Sequence, residues 1–296
     1  MTPPRITLIT PNHNQVSFLE RSICSALDQE YENLELIVID GGSTDDSLEL
    51  IRFYDDELAF WASGPNSGQS DAINRGLSRA TGDIVAVLNS DDLLLPGSLE
   101  EVAKVMGPEN APQWLVGRCL RMGEHDELLG ALDPHAPRST ASFLMHDSGV
   151  LPAPSTFFRR LLFEDHGLLD PDLRFAFFYE FSCRLLIAGL RPAILGLNLA
   201  ARREFRTPKS PARMFQNGLE LVDAAERHAG PLPAPRRRAL LDNCDRRRRI
   251  HALAQAELAG DGARRFLLNE LVSHPSWIAD DAIRRTVVHG VVRPAA

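Results

Sequence analysis

The first hundred residues alternate short apolar runs with segments of helical spacing. Four runs have strand character: RITLIT, LELIVI, LAFWAS and DIVAVLN. Between the first two, VSFLERSICSAL repeats apolar residues at helical intervals, at Phe18, Leu19, Ile23 and Leu27. LELIVI is apolar throughout, which is typical of a strand that is buried on both faces of a parallel sheet. Strands separated by helices at this spacing predict βαβ crossovers and a doubly wound α/β sheet.

The rest of the chain divides into an irregular middle and a helical end. In the middle, QWLVGRCL and DELLGAL have the pattern of a hairpin or of edge strands, and FFYEFSCRLLIAGL that of a helix ending at Gly189. From Pro208 onward the patterns are helical. We therefore predict one domain in two halves and a helical C-terminal region, with the bounds 1–110, 111–206 and 207–296.

A polar loop follows each of the four predicted strands. The loops are TPNHNQ, DGGSTDD, SGPNSGQSDAINRG and NSDD. In doubly wound sheets, ligands bind beyond the carboxyl ends of the strands, so these loops are predicted to form one site. The sequence has neither GxGxxG after its first strand nor GxxxxGK[ST], so the site is unlike the two common phosphate-binding loops.

The fourth loop places two carboxylates directly after a buried strand. Asp91 and Asp92 repel each other when both are ionised, so a positive charge or a shared proton has to offset them. We predict a metal ion that carries a diphosphate, because hard cations prefer carboxylate and phosphate oxygens as ligands. The alternative is an acidic turn before Pro96.

Several linked motifs in one order resemble glycosyltransferase family 2, whose members are inverting enzymes of the GT-A fold. These motifs are ITPNHN, LELIVIDGGSTDDS, SGPNSGQSDAINRGLSRATGDIVAVLNSDDLLLPGSL and PAPSTFFRRLLFEDHGLLDPDL. The resemblance covers residues 5–210 and implies a GT-A type, Rossmann-like, doubly wound mixed sheet with a C-terminal helical appendage.

The resemblance also implies a nucleotide-sugar site. Its residues would be Thr10, Pro11, Asn12, His13, Asp40, Gly68, Gln69, Asp71, Asn74, Asn89, Ser90, Asp91 and Arg206. His13 stands where the family usually has a tyrosine, and it either stacks on the base or is a surface histidine. Asp40 either accepts a hydrogen bond from the base or is a turn aspartate beside two glycines.

The NSDD segment stands where the family has its metal-binding DxD motif. By this resemblance Asn89 would reach the ribose hydroxyls, and Asp91 would bind Mg²⁺ or Mn²⁺ that bridges the diphosphate. Asp92 either organises the loop or shares the metal. Downstream, Arg206 lies near the place where the family often has a histidine, and its planar fork would hold the diphosphate directly.

The predicted catalytic half departs from the family at the general base. The family aspartate that deprotonates the acceptor aligns with Phe178, which cannot accept a proton. Glu180 lies two residues further on and is predicted to be the base if the helix starts later or its first turn is distorted. Two residues turn a helix by about 200°, so the alternative is a structural carboxylate paired with Arg184.

Charge and composition bear on location and partners. Residues 1–200 hold 14 Lys/Arg against 29 Asp/Glu, whereas residues 201–296 hold 18 against 11. The basic stretch PRRRALLDNCDRRRRI suits a solvated helix face or peripheral contact with an anionic membrane; we predict no nucleic-acid partner, and a homodimer stays open. The N-terminus lacks the apolar centre of a signal peptide, and the scattered cysteines predict reduced thiols, so a cytoplasmic location is expected.

Two functions follow from these patterns. The first is an inverting glycosyltransferase that moves a sugar from a nucleotide-sugar, with UDP as the favoured nucleotide, to a saccharide or lipid-linked acceptor in cell-surface polysaccharide synthesis. The alternative is a relative that binds nucleotide-sugar without transferring it, which Phe178 favours. A nucleotidyltransferase is disfavoured because TPNHNQ lacks the glycines and lysine that its first loop needs.

Overall fold

The computed structural model describes residues 3–146, 149–205, 211–259 and 263–289. The chain divides into two units, Met1–Arg206 and Thr207–Ala296. Within the described ranges, no helix is both long enough and apolar enough to cross a bilayer.

The strands of the first unit form one mixed sheet in the order β3-β2-β1-β4-β8-β6-β9-β5, with β7 beside β6. The strands are β1 Ile6–Asn12, β2 Leu34–Asp40, β3 Phe60–Ser63, β4 Ile84–Val87, β5 Leu93–Leu94, β6 Trp114–Met122, β7 Leu128–Leu132, β8 Thr156–Arg159 and β9 Ala193–Arg203. Strands β1 to β4 are parallel, so their carboxyl ends share one edge of the sheet. Strand β8 then runs antiparallel to both β4 and β6. The predicted mixed α/β sheet is confirmed.

Helices cover both faces of this sheet. Successive side chains of a strand point to opposite faces, and in these parallel strands both sets are apolar. The helices are α1 Val16–Leu27, α2 Ser47–Phe53, α3 Gln69–Leu77, α4 Ser98–Met106, α5 Thr140–Leu144, α6 Leu161–His166 and α7 Phe177–Ile187. Buried residues of α1, α2 and α4 share a core with Leu8 and Leu36. On the other face, α3 packs closely on β1, since a Cβ at Gly76 would lie 2.5 Å from Ile9.

The second unit is helical, as the sequence predicts. Its helices are α8 Pro211–Arg227, α9 Ala234–Ala259, α10 Ala263–Ser273 and α11 Asp281–His289. Helices α8 and α9 approach closely where Gly218 faces the ring of His251. Trp277 is buried in this unit and donates from Nε1 to Asp245 at 2.6 Å.

Glu35 is a buried carboxylate near the start of β2, at the edge of the sheet opposite the polar loops. It is 4% exposed and accepts hydrogen bonds from the Thr7 hydroxyl at 2.5 Å and from the Thr81 amide and hydroxyl at 2.7 Å. Arg5 lies 3.1 Å away in an ion pair. Burial by itself raises the pKa of Glu35, but these hydrogen bonds and the arginine outweigh it and the pKa is lowered.

We expect Glu35→Gln to lower the free energy of unfolding by about 1–3 kcal/mol at neutral pH, because it removes an ionised acceptor from a buried network. The pKa of Glu35 is lower in the folded than in the unfolded protein, so its stabilising contribution is present above the unfolded value of about 4.3. The contribution is lost as the pH falls through the folded value. Urea unfolding across this range measures it, with exposed Glu57→Gln as the control. A difference between wild type and variant that does not shrink in acid would contradict this account.

Candidate functional site

Three side chains form a row across the carboxyl ends of β1, β2 and β3. In the strand register, Asn12 pairs with Asp40, and Asp40 pairs with Ser63. Asn12 Nδ2 donates to Asp40 Oδ1 at 2.8 Å, and Ser63 Oγ donates to Asp40 Oδ2 at 2.6 Å. The parallel register places Asp40 at the centre of the row, where it is fully buried.

The turn after β2 supplies further donors to Asp40. The Ser43 hydroxyl lies 2.5 Å from Oδ1, and the amides of Ser43 and Gly42 lie 2.9 and 3.1 Å from Oδ2. Burial raises the pKa of Asp40, but these hydrogen bonds lower it further than burial raises it. The carboxylate is thus ionised and already holds a local turn, which is the alternative weighed from the sequence. Its hydrogen bond to a nucleobase stays a prediction.

The first and second loops are tied together beside this row. Asn14, with φ of 52°, donates its amide to Ser43 Oγ at 2.8 Å and accepts from the Thr44 amide at 2.8 Å. His13 is exposed, and its Nδ1 lies 3.2 Å from the position that a Cβ on Gly41 would occupy. The ring is accessible, and the stacking role of His13 stays a prediction.

Thr10 and Pro11, like Asn12, are buried members of the predicted first loop. Both belong to β1, so they lie within the strand that precedes the exposed turn. Within the described part of the chain, Thr10 Oγ1 is buried without a hydrogen-bond partner. The exposed end of the loop would therefore have to make most of the predicted contacts with the base.

The third and fourth loops meet through Gln69. Gly68 precedes α3 with φ of 143°, a conformation that glycine adopts readily, and an added Cβ there would meet nothing within 4 Å. At the start of α3, Gln69 Nε2 donates to Asn89 Oδ1 at 2.6 Å. Asn89 Nδ2 in turn donates to Asp92 Oδ2 at 2.8 Å. The structure thus brings together predicted residues that lie 20 positions apart in the chain.

Asp71 and Asn74, on α3, make protein contacts of their own. Asp71 accepts from the Ser67 amide at 3.1 Å and pairs with Arg75 at 3.1 Å. The Asn74 side chain donates to the Leu169 carbonyl at 2.8 Å and accepts from the Leu169 amide at 3.0 Å. Asn74 therefore ties α3 to the segment before α7, and its contact with the nucleotide stays a prediction.

The two adjacent carboxylates have different surroundings. Asp91 is half-buried, whereas Asp92 is 1% exposed and accepts from the Arg203 amide on Oδ1 at 3.0 Å and from Asn89 on Oδ2. Burial, reinforced by the charge of Asp91, raises the pKa of Asp92 to about 7. Ser90 between Asn89 and Asp91 is buried. Asp92 therefore organises the loop, and its share in a metal site stays a prediction.

The donor set here suits a cation that a substrate helps to bind. Among the described residues, no group of three or more His, Cys, Asp or Glu side chains could hold a metal by itself. Mg²⁺ and Mn²⁺ sites for phosphate substrates commonly use one or two carboxylates together with phosphate oxygens and water. Asp91, half-buried at the edge of the sheet, fits that arrangement.

The predicted general base is held by an arginine. Phe178 and Glu180 both lie in the first turn of α7, where Phe178 is half-buried and Glu180 is 6% exposed. Arg184 donates to Glu180 Oε2 from Nε at 3.0 Å and from Nη2 at 2.8 Å. Arg184 Nη2 also reaches the Leu168 carbonyl at 2.7 Å. The structure thus contains the i,i+4 pair that the sequence offered as the alternative, and the base role of Glu180 stays a prediction.

One predicted residue cannot be placed, and one important residue was missed. Arg206 lies outside the described residues. Arg203, which the sequence analysis did not single out, is buried beside Asp91 and Asp92. The sequence feature that indicates burial of Arg203 is the alternation of side chains along β9, which puts Leu199, Ala201 and Arg203 on one face.

Comparison with known proteins agrees with this architecture. TarS of S. aureus, solved in complex with UDP-GlcNAc, covers 96% of this chain and 81% of its own, with a TM-score of 0.63 and 17% identity. A likeness at this identity concerns the fold alone, and the mixed sheet with its helices is similar to GT-A glycosyltransferase structures.

The family follows from sequence comparison. The model of "Glycosyl transferase family 2" matches residues 7–134. An uncharacterized glycosyltransferase of Mycobacterium tuberculosis is 30% identical over 184 residues, which cover 61% of this chain and 68% of the relative. The chain belongs to glycosyltransferase family 2, as the sequence motifs predicted.

A relative of known reaction is matched over a shorter stretch. The GalNAc(5)-diNAcBac-PP-undecaprenol beta-1,3-glucosyltransferase of Campylobacter jejuni is 34% identical over 125 residues, 40% of this chain and 38% of the relative. Three other relatives are matched over 44%, 16% and 32% of their own lengths. The chain therefore spans less than half of these relatives.

Proposed function

We propose that the protein is an inverting glycosyltransferase that moves a sugar from a nucleotide-sugar to a saccharide or lipid-linked acceptor. UDP is the favoured nucleotide of the donor. The observation that carries the proposal is the convergence of four polar loops at one sheet edge, with half-buried Asp91 among them. The UDP-GlcNAc bound in the TarS structure supports a UDP-sugar donor, and the name of the C. jejuni relative supports a lipid-linked saccharide acceptor. A role in cell-surface polysaccharide synthesis is part of this proposal.

Each site residue has one proposed role. His13 and Asp40 would bind the base, Asn89 the ribose, and Asp91 would hold Mg²⁺ or Mn²⁺ against the diphosphate. A divalent cation bound there offsets the charge that develops on the departing nucleoside diphosphate. Glu180 would accept the proton of the acceptor hydroxyl while Arg184 holds its Oε2.

The second candidate is a protein that binds nucleotide-sugar without transferring it. Phe178 at the family's base position and the pairing of Glu180 with Arg184 favour this candidate. UDP release from a panel of UDP-sugars with Mn²⁺, measured with and without acceptor pools, separates the two. Acceptor-dependent release supports transfer, tight UDP binding without turnover supports the second candidate, and neither binding nor release overturns the nucleotide-sugar site.

The base assignment has its own test in Glu180→Gln. If Glu180 is the base, we expect acceptor-dependent UDP release to fall on the order of 100-fold or more while UDP affinity holds. Glu164→Gln is the matched control, because Glu164 forms the same i,i+4 pair with Arg160 at an exposed site on α6. Release that is equal in both variants would remove Glu180 from the mechanism.

Peripheral contact of the helical region with an anionic membrane is a further part of the proposal. Exposed Arg236, Arg237 and Arg238 on α9 support it. Arg248 and Arg249 instead pair with acids of the same unit, Asp223 and Asp280 among them, as a solvated helical face would. Salt-sensitive sedimentation with anionic liposomes would test this contact.

A further inference from the structure

Arg203 connects the end of β9 to both acidic residues of the NSDD loop. Its Nε donates to the Asp91 carbonyl at 3.1 Å, and its backbone amide donates to Asp92 Oδ1 at 3.0 Å. The side chain is 1% exposed. One residue, 112 positions away in the chain, therefore fixes the backbone of Asp91 and the side chain of Asp92.

The guanidinium group of Arg203 is fixed from two further directions. Nη1 donates to the carbonyls of Gly123 and Glu124, each at 3.0 Å, and to Asp126 Oδ1 at 2.8 Å. The Phe18 ring of α1 lies under the guanidinium, with its centroid 4.7 Å away. The NSDD loop is thus joined to the turn between β6 and β7 and to α1.

Burial of the Arg203 guanidinium carries a desolvation penalty that a purely structural role would have to offset. Burying a guanidinium requires compensation from charged or polar partners. Arg203 forms an ion pair with Asp126, which is 40% exposed and also pairs with Arg21. Arg203 Nη2 is buried without a hydrogen-bond partner in the described part of the chain. Among side chains, only arginine has several donors in one rigid plane. Arginine can therefore hold the Asp91 carbonyl in a fixed geometry.

We infer that Arg203 is a positioning residue for Asp91: it holds the NSDD backbone so that the Asp91 carboxylate meets a divalent cation carried by the nucleotide. The inference rests on the proposed function. The Asp91 side chain leaves the backbone one bond from the peptide unit that Arg203 holds, so movement of that carbonyl moves the carboxylate. Outer contacts that orient a metal ligand are commonly worth 10–100-fold in metal affinity.

The test is Mn²⁺ binding in the presence of saturating UDP, measured by titration calorimetry on the full chain. For Arg203→Lys, which keeps the charge and loses the fork, we expect Mn²⁺ affinity about 10–100-fold below wild type, with UDP affinity in the absence of metal unchanged. Arg202→Lys is the matched control, because Arg202 is 43% exposed and pairs with Glu204. Its Mn²⁺ affinity should stay at the wild-type value.

A merely structural role predicts a different result, namely a lower thermal midpoint with unchanged Mn²⁺ affinity of the folded protein. That result overturns the inference. If Arg203→Lys does not fold, Asp126→Asn decides, because it leaves Arg203 in place and removes its ionised partner. Weakened Mn²⁺ binding by this variant supports the inference, and wild-type binding overturns it.

The proposed function can fail separately. Wild-type protein that binds no UDP, with or without Mn²⁺, overturns the proposed function and this inference together. Wild-type protein that binds UDP without any dependence on Mn²⁺ overturns the inference about Arg203 and leaves the nucleotide site standing.

Discussion

Asp91→Asn is expected to reduce UDP release from UDP-sugars on the order of 100-fold or more. The substitution keeps the shape of the side chain and removes the charge that the proposed cation needs, and cation stabilisation of a leaving group is worth several kcal/mol. Half-buried Asp91 is not part of the apolar core, so the variant should fold like the wild type. Mn²⁺ affinity measured with UDP present should fall together with the rate.

Asp56→Asn provides the control for this loss. Asp56 is an exposed carboxylate in the turn between α2 and β3, at the edge of the sheet opposite the polar loops, and the same charge is removed there. Its UDP release and Mn²⁺ affinity should match the wild type. Full activity of Asp91→Asn at limiting Mn²⁺ would show that the cation, if one binds, does not use this carboxylate.

Gly82→Ala is expected to destabilise the first unit by about 3 kcal/mol or more. A Cβ at Gly82 would lie 2.6 Å from Thr7 Oγ1, 2.8 Å from the Thr7 amide nitrogen and 2.9 Å from the Arg5 carbonyl. Two of these neighbours are backbone atoms of β1 and its entry, which cannot rotate away. The strands β1 and β4 would have to separate at the point where they begin to pair.

Gly196→Ala is the matched control for Gly82→Ala. Gly196 lies in β9 with nothing within 4 Å of its added Cβ, so the same methyl group meets open space. Both substitutions restrict the unfolded chain equally, and their difference therefore isolates the steric cost in the folded state. Urea unfolding of the two variants measures it, and equal stability would show that β1 and β4 tolerate the additional atom.

The elements of the first unit follow closely from local patterns. The segment VSFLERSICSAL is α1 from its first to its last residue, and LELIVI lies within β2. Strand LAFWAS begins two residues later than its pattern, at Phe60, and Leu58 packs in the core ahead of the strand. These successes have one cause: burial of one face or of both faces repeats with the period of the backbone itself.

Short elements and helix caps are harder to predict from the sequence. The two-residue strand β5 pairs with Ala200 and Ala201 of β9, and no local pattern of Leu93 and Leu94 indicates that pairing. Ser43, Thr44 and Asp45 precede the second helix, and each is a residue type that commonly caps a helix N-terminus. The helix instead begins after Asp46, while Asp45 accepts from the Ser47 amide at 3.1 Å. Several acceptors in a row are equivalent in sequence, and the chain direction set by the sheet selects among them.

The candidate site shows the same division. Its location beyond the ends of four strands was predictable, because parallel strands place their carboxyl ends at one edge. The pairing of Glu180 with Arg184 was available as a helical i,i+4 alternative. Whether that glutamate faces an acceptor, however, depends on the first turn of α7 and on the segment that Asn74 ties to α3.

The sequence by itself determined the order of elements, the mixed α/β class, the family and the acidic loop that ends β4. Only the tertiary structure decided which of the two neighbouring acids is buried, and which of the adjacent arginines 202 and 203 turns inward to hold them. The physical reason is that local periodicity reports burial, whereas a contact across 112 residues depends on how distant strands come into register within the sheet.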